Sequence, residues 1–418
     1  MLLLYNVVIR LYYLAVLLAS GFNKKAKQWI AGRKERALIR FEESIWFHFA
    51  SLGEFEQGRP VLERMRDLHP ASKIVITFFS PSGYEIRKNT PLADAVYYLP
   101  LDTAKNAAGF LDTIQPKLAI FTKYEYWYHF FNEARKRRIP IYVVSAIFRP
   151  EQAFFKWYGR FPRKILGFVN WFFLQDERSK QLLAGIGLEN ATVGGDTRFD
   201  RVWANAQQPR SISGLEAFKN GQRTFVAGST WPEDEQLIAK LVARHPDLKF
   251  IIAPHEISEE KINKLAHLLP AAQTIKYSEI SNLIPIAIGM SPDSYRDSNL
   301  NVLIIDNIGM LSSLYQYGEI AYIGGGFGAG IHNTLEAAAF GLPVIFGPNY
   351  RKFIEANDLI ALKAGFSITD GPDLEAITVT LLNDSAFYAT SSKKAGDYVK
   401  EHIGATGTIV EQITNNER

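Results

Sequence analysis

A glycine-rich stretch at residues 320–348 holds the side chains whose types and spacing best suit ligand chemistry. Five glycines fall within the seven residues 324–330, and His332, Asn333 and Glu336 follow them. Glycines let a backbone approach a ligand closely, and a helix beginning at Asn333 would offer unpaired N–H groups to an anion. Glu336, one turn inside that helix, could accept hydrogen bonds from ribose hydroxyls. We therefore interpret the stretch as a nucleotide-phosphate site.

Two simpler interpretations of this stretch remain open. A glycine-rich turn can serve the fold alone, and the spacing matches neither the Gly-x-Gly-x-x-Gly fingerprint nor the ending of a P-loop. Asn333-Thr-Leu-Glu336 also fits a helix capping box, in which Glu336 only caps its own helix.

Carboxylates follow two apolar runs in the N-terminal half of the chain. Glu54 comes shortly after Ile45–Phe49, and Glu125 follows Leu118–Phe121. A carboxylate at the end of a strand can serve as a general base. Ser51-Leu-Gly-Glu54 equally fits a capping box, which leaves both functions of Glu54 open. The polar or turn-forming neighbours at these and the next strand end are Ser51, Gly53, Ser80, Ser82 and Lys123. We expect a tight turn at Gly53.

Similar groups follow three apolar runs in the C-terminal half. The segments are Gly228-Ser229-Thr230, Ala253-Pro-His255-Glu256 and Asp306-Asn-Ile308-Gly309-Met-Leu311. Ser229 or Thr230 would begin a helix with Pro232 in its first turn, which is ordinary capping. The same hydroxyls and N–H groups are a second place where a phosphate could bind.

The elements that must position these residues follow from the alternation of strand and helix signals after Glu43. Ten apolar runs are predicted strands: Ile45–Phe49, Ile74–Phe79, Leu118–Phe121, Ile141–Val144, Trp171–Leu174, Phe225–Val226, Phe250–Ile252, Val302–Ile305, Ile320–Ile323 and Val344–Phe346. The polar residues 203–222 interrupt the alternation. The pattern predicts two α/β halves facing one another across a cleft, with ligands beyond the carboxyl ends of the strands.

Composition narrows the classes of site. A chain of 418 residues is expected to form two domains whose cores need no covalent cross-links. The sequence has no cysteine, which excludes disulfides, thiol nucleophiles and cysteine-ligated metals. The eight histidines are scattered and no Asp-x-Asp pair occurs, so we expect no metal site. A net charge of +4 does not indicate nucleic-acid binding.

Residues 1–20 are mostly apolar and about as long as a bilayer-spanning helix. Asn6 and Arg10 are the strongly polar exceptions, and basic residues follow: Lys24, Lys25, Lys27, Arg33, Lys34, Arg36 and Arg40, opposed by Glu35. The positive-inside rule then predicts a membrane anchor with the bulk of the protein in the cytoplasm. A cleaved signal peptide would carry its charges before the apolar core. A buried N-terminal helix, or one lying in the membrane interface, remains open.

A second basic segment, residues 135–164, mixes cations with aromatic rings. Its members are Arg135, Lys136, Arg137, Arg138, Arg149, Phe154, Phe155, Lys156, Trp157, Tyr158, Arg160, Phe161, Arg163 and Lys164. Such a mixture suits an anionic amphiphile or a membrane surface. A solvated helix face over ordinary core aromatics is the alternative.

Together the motifs resemble those of the 3-deoxy-D-manno-octulosonic acid (Kdo) transferases of lipopolysaccharide (lipid A) biosynthesis. The matching segments, in chain order, are Ala50–Glu54, Ser80–Gly83, Tyr98–Pro100, Glu125–Trp127, Gly195–Asp200, Gly228–Thr230, Gly325–Gly326 and His332–Pro343. The resemblance implies an α/β, GT-B glycosyltransferase with two Rossmann-like domains and an N-terminal membrane-anchor helix. It also implies metal-independent, inverting transfer of Kdo from CMP-Kdo to the lipid A precursor (lipid IVA) at the cytoplasmic face of the inner membrane. CMP-Kdo is a substrate, and no cofactor is expected.

The resemblance assigns roles to individual residues. Glu54 matches the catalytic base that deprotonates the acceptor's primary hydroxyl, and Glu125 matches a second catalytic acidic position. The donor-binding set is Gly228, Ser229, Thr230, His255, Ile308, Gly309, Leu311, Gly325, Gly326, His332, Asn333 and Glu336. The acceptor-binding set is Ser51, Gly53, Ser80, Ser82 and Lys123. Without a metal, the leaving phosphate would have to be stabilised by N–H donors and basic side chains. The glycine-rich loop would supply the donors, and His332 would supply a basic side chain.

The expected domains are an anchor at 1–22, an acceptor-binding domain at 23–204, a linker at 205–222, a nucleotide-sugar-binding domain at 223–390, and a C-terminal helix at 391–418 that can pack on the N-terminal domain. Two alternative functions remain: a sugar-nucleotide 2-epimerase of the same architecture, and a non-catalytic membrane-bound nucleotide-binding protein.

Overall fold

The computed structural model describes residues 1–34, 37–282 and 300–416. The chain divides into two compact units, Met1–Arg201 with His402–Arg418, and Val202–Glu401. Each unit contains one seven-stranded sheet whose paired strands are all parallel. Glu35 and Arg36 of the predicted basic run lie outside the described residues.

The strands are β1 Ser44–Phe49, β2 Ile74–Phe78, β3 Ala95–Tyr98, β4 Pro116–Thr122, β5 Ile141–Ala146, β6 Trp171–Leu174, β7 Ala191–Val193, β8 Thr224–Thr230, β9 Lys249–Pro254, β10 Thr274–Lys276, β11 Val302–Ile304, β12 Ile320–Ile323, β13 Val344–Phe346 and β14 Gly365–Ser367. The sheet of the first unit has the order β3-β2-β1-β4-β5-β6-β7, and that of the second β10-β11-β9-β8-β12-β13-β14. Both are doubly wound orders of the Rossmann type.

The helices are α1 Leu2–Ala19, α2 Lys24–Gly32, α3 Leu52–Leu68, α4 Pro81–Arg87, α5 Ala104–Ile114, α6 Tyr128–Lys136, α7 Arg160–Leu166, α8 Glu177–Ala184, α9 Thr197–Gln207, α10 Leu215–Lys219, α11 Pro232–Arg244, α12 Glu259–Leu268, α13 Leu311–Leu314, α14 Leu335–Ala338, α15 Ile354–Ala361, α16 Gly371–Asn383, α17 Ser385–Glu401 and α18 Ala405–Asn416.

The central strands are mostly apolar because both faces of each sheet are covered. On β1, Trp46 belongs to one core cluster, whereas Ile45 and Phe47 belong to the other. Successive side chains of a strand point to opposite faces, so a strand that is buried on both sides has no polar alternation. This is why the central strands were visible as continuous apolar runs.

All ten predicted strands are present, and within the described ranges four further strands were missed. The missed strands are β3, β7, β10 and β14, and each lies at an edge of its sheet. Three of them are only three residues long. An edge strand has one neighbour and less apolar cover, so its sequence carries a weaker signal.

The boundary between the units falls before the predicted linker at 205–222, within α9. The polar segment belongs to the second unit, where Leu215 and Phe218 of α10 are buried. The predicted C-terminal helix is two helices, of which α17 belongs to the second unit and α18 to the first. Asp200 fixes this return by accepting the N–H groups of Gly404 at 2.6 Å and Thr406 at 2.7 Å.

Helix α1 packs one face on the first unit and exposes the other. Tyr5 donates its hydroxyl to Asp102, Asn6 Oδ1 lies 2.6 Å from His129 Nε2, and Ile9 is buried. The exposed face carries Arg10 but is otherwise apolar, with Leu3, Leu4, Val7, Val8, Leu11, Leu14 and Leu18. Among the described helices, α1 is long and apolar enough to cross a membrane, judged by length and composition.

Candidate active site

The sequence-predicted site residues cluster at the switch point of each sheet. Strand order reverses between β1 and β4 in the first unit and between β8 and β12 in the second. Ligands of doubly wound sheets bind at the carboxyl ends of the strands flanking such a point. Glu54 follows β1 and Glu125 follows β4, whereas Ser229 ends β8 and the loop 324–330 follows β12. The two groups of residues are described separately below.

Glu54 lies in the first turn of α3, half-buried behind the end of β1. Burial and the negative charge of Glu125 raise the pKa of the Glu54 carboxyl to about 7, while Lys123 and the N–H groups of Ala50 and Ser51 oppose that rise. A carboxylate with a pKa near neutrality is suited to general base catalysis. Burial and a like charge are the usual ways in which proteins produce such a group.

The capping-box alternative for Glu54 is not realised in full. The Ser51 side chain makes no capping bond to α3, and its hydroxyl instead donates to Glu54 Oε2 at 3.4 Å. Gly53 lies inside the helix rather than in the predicted tight turn, because α3 already begins at Leu52. The serine hydroxyl therefore contacts the Glu54 carboxylate.

Glu125 is held by two N–H donors that sequence reasoning missed. Its Oε2 atom lies 3.3 Å from His48 Nε2 and accepts from Trp127 Nε1 at 2.9 Å. The ring of Trp127 stacks on Phe79 with 5.1 Å between centres. His48 comes from β1 and is fully buried, so only its place at the end of an apolar strand could have marked it.

The other residues assigned to the acceptor lie at neighbouring strand ends. Ser80 Oγ and Ser82 Oγ are 2.6 Å apart at the start of α4, and the Ser80 N–H donates to the Ala50 carbonyl at 2.8 Å. Lys123 follows β4 with a φ of 62°. Its charge acts on Glu54, as the pKa of that carboxyl shows. The structure thus brings all five assigned residues to adjacent strand ends of one sheet.

We expect an acid limb in the pH dependence of kcat/KM near pH 7. Glu54 accepts a proton only when ionised, and its pKa of about 7 means that activity falls as the pH drops through that value. Glu125→Gln removes a negative charge that raises this pKa, so the limb should move to lower pH. Profiles of kcat/KM from about pH 5 to 9, recorded for the wild type and for the residual activity of Glu125→Gln, measure the position of the limb in each protein. A limb that does not move would contradict the coupling.

The glycine-rich loop of the second unit is held largely by its own backbone. The N–H groups of Gly328 and Gly330 donate to the Gly325 carbonyl, and that of Gly324 donates to Gly228. The Gly325 N–H donates to the buried Asp234 at 2.9 Å, a residue that the sequence did not mark. Four N–H groups of the loop are therefore already used within the protein.

Helix α14 is shorter than predicted, so it has fewer free N–H groups and a smaller dipole to offer a phosphate. It spans Leu335–Ala338 instead of beginning at Asn333. Asn333 Oδ1 accepts the Leu335 N–H at 3.1 Å, and Asn333 Nδ2 donates to Glu336 Oε1 at 3.4 Å. A single turn whose first N–H is capped by a side chain has little dipole and few free donors. The expectation of a helix end as the main phosphate site is corrected.

Three aromatic rings form a stack beside this loop. The His255 ring stacks on both Trp231 and His332, with its centre 4.8 Å and 4.4 Å from theirs. Trp231 Nε1 donates to His332 Nε2 at 3.0 Å, so the ring hydrogen of His332 is on Nδ1. Burial and the neighbouring His255 lower the pKa of His332 to about 4. His332 is thus a neutral hydrogen-bond donor, which corrects the expectation of a cationic side chain.

The remaining donor residues divide between structural and exposed positions. A Cβ at Gly228 would lie 2.1 Å from Tyr315 Oη and 2.8 Å from Leu311 Cδ1, so this glycine makes room for packing. Thr230 is buried and donates to Glu235 at 3.2 Å. Ser229 has a φ of 54°, Gly309 has a φ of 92°, and Ile308 is 85 % exposed. Within this set, Ile308, Gly309 and Ser229 are the residues whose placement suits a ligand.

A cavity of about 570 Å³ adjoins the glycine-rich loop. It is lined by Ala329, Pro348, Asn349, Arg351 and Lys352. Lys352 Nζ donates to the Ala329 carbonyl at 2.7 Å, and Asn349 Nδ2 donates to that of Gly328 at 2.9 Å. Arg351 and Lys352 place positive charge next to the loop at the end of β13, where no motif had marked them.

The basic and aromatic segment 135–164 divides into buried and exposed parts. Phe154, Phe155 and Phe161 pack on the core of the first unit, whereas Trp157 is 92 % and Tyr158 53 % exposed. The three phenylalanines are therefore ordinary core aromatics, as the alternative interpretation of this segment expected. The two exposed rings, with Lys156 and Arg160 beside them in sequence, are the part of the segment that suits a membrane surface.

Comparison with solved structures gives the fold class. The UDP-GlcNAc 2-epimerase from Neisseria meningitidis, solved with UDP-GlcNAc, has a TM-score of 0.61 at 16 % identity, covering 89 % of this chain and 100 % of that one. MurG from Acinetobacter baumannii has a TM-score of 0.53 at 12 % identity, covering 89 % and 99 %. At such identities the likeness shows the fold alone, and it confirms the predicted GT-B class of paired Rossmann-like domains.

Comparison of sequences shows a likeness to transferases of one kind. The family model described as 3-Deoxy-D-manno-octulosonic-acid transferase (kdotransferase) matches residues 21–201. The 3-deoxy-D-manno-octulosonic acid transferase of Haemophilus influenzae is 27 % identical over 386 residues, 89 % of this chain and 86 % of that protein. That of Chlamydia trachomatis serovar A is 27 % identical over 351 residues, 81 % of this chain and 78 % of that protein. Over most of its length the chain is therefore similar to Kdo transferases, which are glycosyltransferases.

Proposed function

We propose that the protein transfers Kdo from CMP-Kdo to the lipid A precursor, lipid IVA, with inversion at the anomeric carbon and without a bound metal. The observation that carries the proposal is Glu54, a half-buried carboxyl at the β1 end of a switch point whose pKa is raised to about 7. The names of the matching family model and of the relatives support Kdo as the transferred sugar. CMP-Kdo is the donor that the resemblance implies.

The transfer step uses Glu54 as its base. Glu54 takes the proton of a primary hydroxyl of the acceptor as that oxygen attacks the anomeric carbon of Kdo. The bond between that carbon and the phosphate oxygen breaks, and CMP leaves with the electron pair. Lys123, whose charge lowers the pKa of Glu54, would offset the charge that the carboxyl and the acceptor bring together.

The second unit is proposed to bind the nucleotide. Neutral His332 donates through Nδ1, and the stacked rings of Trp231 and His255 offer a flat apolar surface beside it. Arg351 and Lys352 add positive charge for a donor that carries both a phosphate and a sugar carboxylate. The leaving phosphate is then stabilised by these cations and by the Nδ1–H group of neutral His332 rather than by a protonated histidine.

We infer that α1 lies in the membrane interface at the cytoplasmic face of the inner membrane. Contacts to the first unit recur along the helix from Tyr5 to Tyr13, where Tyr12 and Tyr13 meet the Trp29 ring at 5.8 Å and 6.3 Å. A helix crossing the bilayer would carry Asp102 and its other polar partners into hydrocarbon, which is costly. The opposite, apolar face and exposed Trp157 suit the boundary of a lipid layer.

Flotation with anionic phospholipid vesicles tests this orientation. The full chain should float, and a variant with Val8, Leu11 and Leu18 changed to lysine should not, because only the exposed face is altered. Equal flotation of both proteins would contradict the interfacial α1. Thermal unfolding controls for damage to the packed face.

The function itself is tested by Kdo transfer from CMP-Kdo to a tetraacylated lipid A precursor in detergent, with and without a chelator. Product that requires both substrates and is unaffected by chelator supports donor, acceptor and metal independence together. If no Kdo is transferred although CMP still binds, the proposed acceptor or the proposed donor is wrong. Release of nucleotide without lipid acceptor would favour the sugar-nucleotide 2-epimerase alternative, which shares the fold.

A further inference from the structure

His48 is a buried histidine in an otherwise apolar strand of the first unit. It lies on β1, whose six residues are all buried, and its own side chain is fully enclosed. Burying an imidazole is costly unless both ring nitrogens find hydrogen-bond partners. Both do, and the outer partner is Glu125. A histidine needed only for packing would not have to reach a carboxylate at the ligand edge of the sheet.

Hydrogen bonds around Thr77 determine which nitrogen of His48 carries the hydrogen. Thr77 Oγ1 accepts from Trp46 Nε1 at 2.8 Å and lies 2.8 Å from His48 Nδ1 but 3.3 Å from the Phe47 carbonyl. Because the indole N–H is the donor to Thr77, the hydroxyl hydrogen is free to point at the nearer acceptor, Nδ1. Nε2 then carries the ring hydrogen and donates it to Glu125 Oε2, 3.3 Å away.

A second donor converges on the same oxygen of Glu125. Trp127 Nε1 lies 2.9 Å from Oε2, and its ring is fixed by stacking on Phe79. Two N–H groups from separate elements define where the carboxylate lies. Of these two donors, His48 is the one buried in the sheet, and its own position is fixed by Thr77 and Trp46.

We propose that His48 is a positioning residue of the transfer reaction, which holds Glu125 beside Glu54 through a buried chain of hydrogen bonds that starts at Trp46. The inference rests on the proposed function, in which Glu54 is the base. The charge of Glu125 acts on Glu54, so its effect depends on where the carboxylate is held. A misplacement of about 1 Å near the reacting groups can cost about a hundredfold in rate.

A double-mutant cycle between His48→Phe and Glu125→Gln tests the proposal in the Kdo transfer assay. His48→Phe alone should lower kcat about ten- to a hundredfold. The KM for CMP-Kdo should change by less than about threefold, because the donor is assigned to the other unit. In the Glu125→Gln background the same change should cost less than about threefold, since the carboxylate that it positions is gone.

Three further variants separate positioning from packing. His48→Gln keeps an N–H donor for Glu125 and should recover most of the kcat that His48→Phe loses. Thr77→Val keeps the size of the side chain but removes the hydroxyl that orients the ring, so kcat should fall in the same direction. His245→Phe is the matched control: His245 Nε2 lies 2.7 Å from Glu375 Oε1, and His245 precedes β9, at the opposite end of that strand from His255. Its kcat should not change.

The outcomes are distinguishable. Equal losses from His48→Phe in both backgrounds, or a His48→Gln variant as impaired as His48→Phe, would overturn the positioning role. Thermal unfolding and CMP binding show whether His48→Phe folds. If it does not, the cycle is run with His48→Gln and Thr77→Val instead. A loss of kcat from Thr77→Val that is equally large in the Glu125→Gln background would then overturn the positioning role. A wild-type protein that transfers no Kdo would instead remove the proposed function.

Discussion

Glu54→Gln is expected to lower kcat for Kdo transfer by about a hundredfold or more, the usual contribution of a general base. The substitution keeps the size of the side chain and can still accept from the Ser51 hydroxyl, so the loss reports proton transfer. The affinity for CMP should not change, because the nucleotide is assigned to the second unit. Single-turnover rates and calorimetric CMP titrations measure the two quantities separately.

Glu56→Gln is the matched control for this prediction. Glu56 lies two residues further along α3 and pairs with Arg87 at 2.5 Å, and its loss should leave kcat near the wild-type value. Near-normal turnover in Glu54→Gln combined with a large loss in Glu125→Gln would show that the roles of the two carboxylates were assigned the wrong way round. Normal turnover in both would favour the non-catalytic nucleotide-binding alternative.

The sequence was most informative where a residue's role depends on its immediate neighbours. Glu54 and Glu125 could be placed at strand ends because the runs before them are continuous apolar segments of central strands. The parallel fold then put both carboxylates at one switch point. The edge strands were missed because they pair with one neighbour and are only three or four residues long.

Roles that depend on distant partners could not be predicted from the sequence. His48 and Glu125 are 77 residues apart in the chain, and Trp231 and His332 are 101 apart. The charge of His332 depends on burial and on His255, which no local pattern encodes. Capping of α14 by Asn333 was visible as a possibility, but its consequence, the loss of a free helix end, required the structure.

The glycine-rich loop is the part of the site where one added methyl group should have the largest effect. A Cβ at Gly326 would lie 2.6 Å from both the backbone nitrogen and the Cα of Gly347, which directly follows β13. Contacts below 3.0 Å with backbone cannot be relieved by rotating a side chain, so the loop or the strand end must move. We expect Gly326→Ala to destabilise the second unit by about 2–3 kcal/mol, as overpacking of a core does.

Gly328→Ala is the internal control for that change. Gly328 belongs to the same loop, but a Cβ there would have the Gly325 carbonyl at 3.8 Å as its nearest contact, and the residue is exposed. Its substitution should alter the free energy of unfolding by less than about 0.5 kcal/mol, as is usual at the surface. Chemical denaturation of both variants, followed by a probe of the second unit, measures the difference.

CMP binding by folded Gly326→Ala decides between the two interpretations of the loop. If Gly326 lets the backbone approach the nucleotide, the displaced loop should weaken CMP binding at least about tenfold even under conditions where the unit is folded, because a fixed donor geometry is lost. If the glycines serve only the turn, folded protein should bind CMP as the wild type does. Wild-type affinity in a destabilised Gly326→Ala would therefore remove this loop from the donor site, whereas Arg351, Lys352 and the Trp231 stack would keep their assignments.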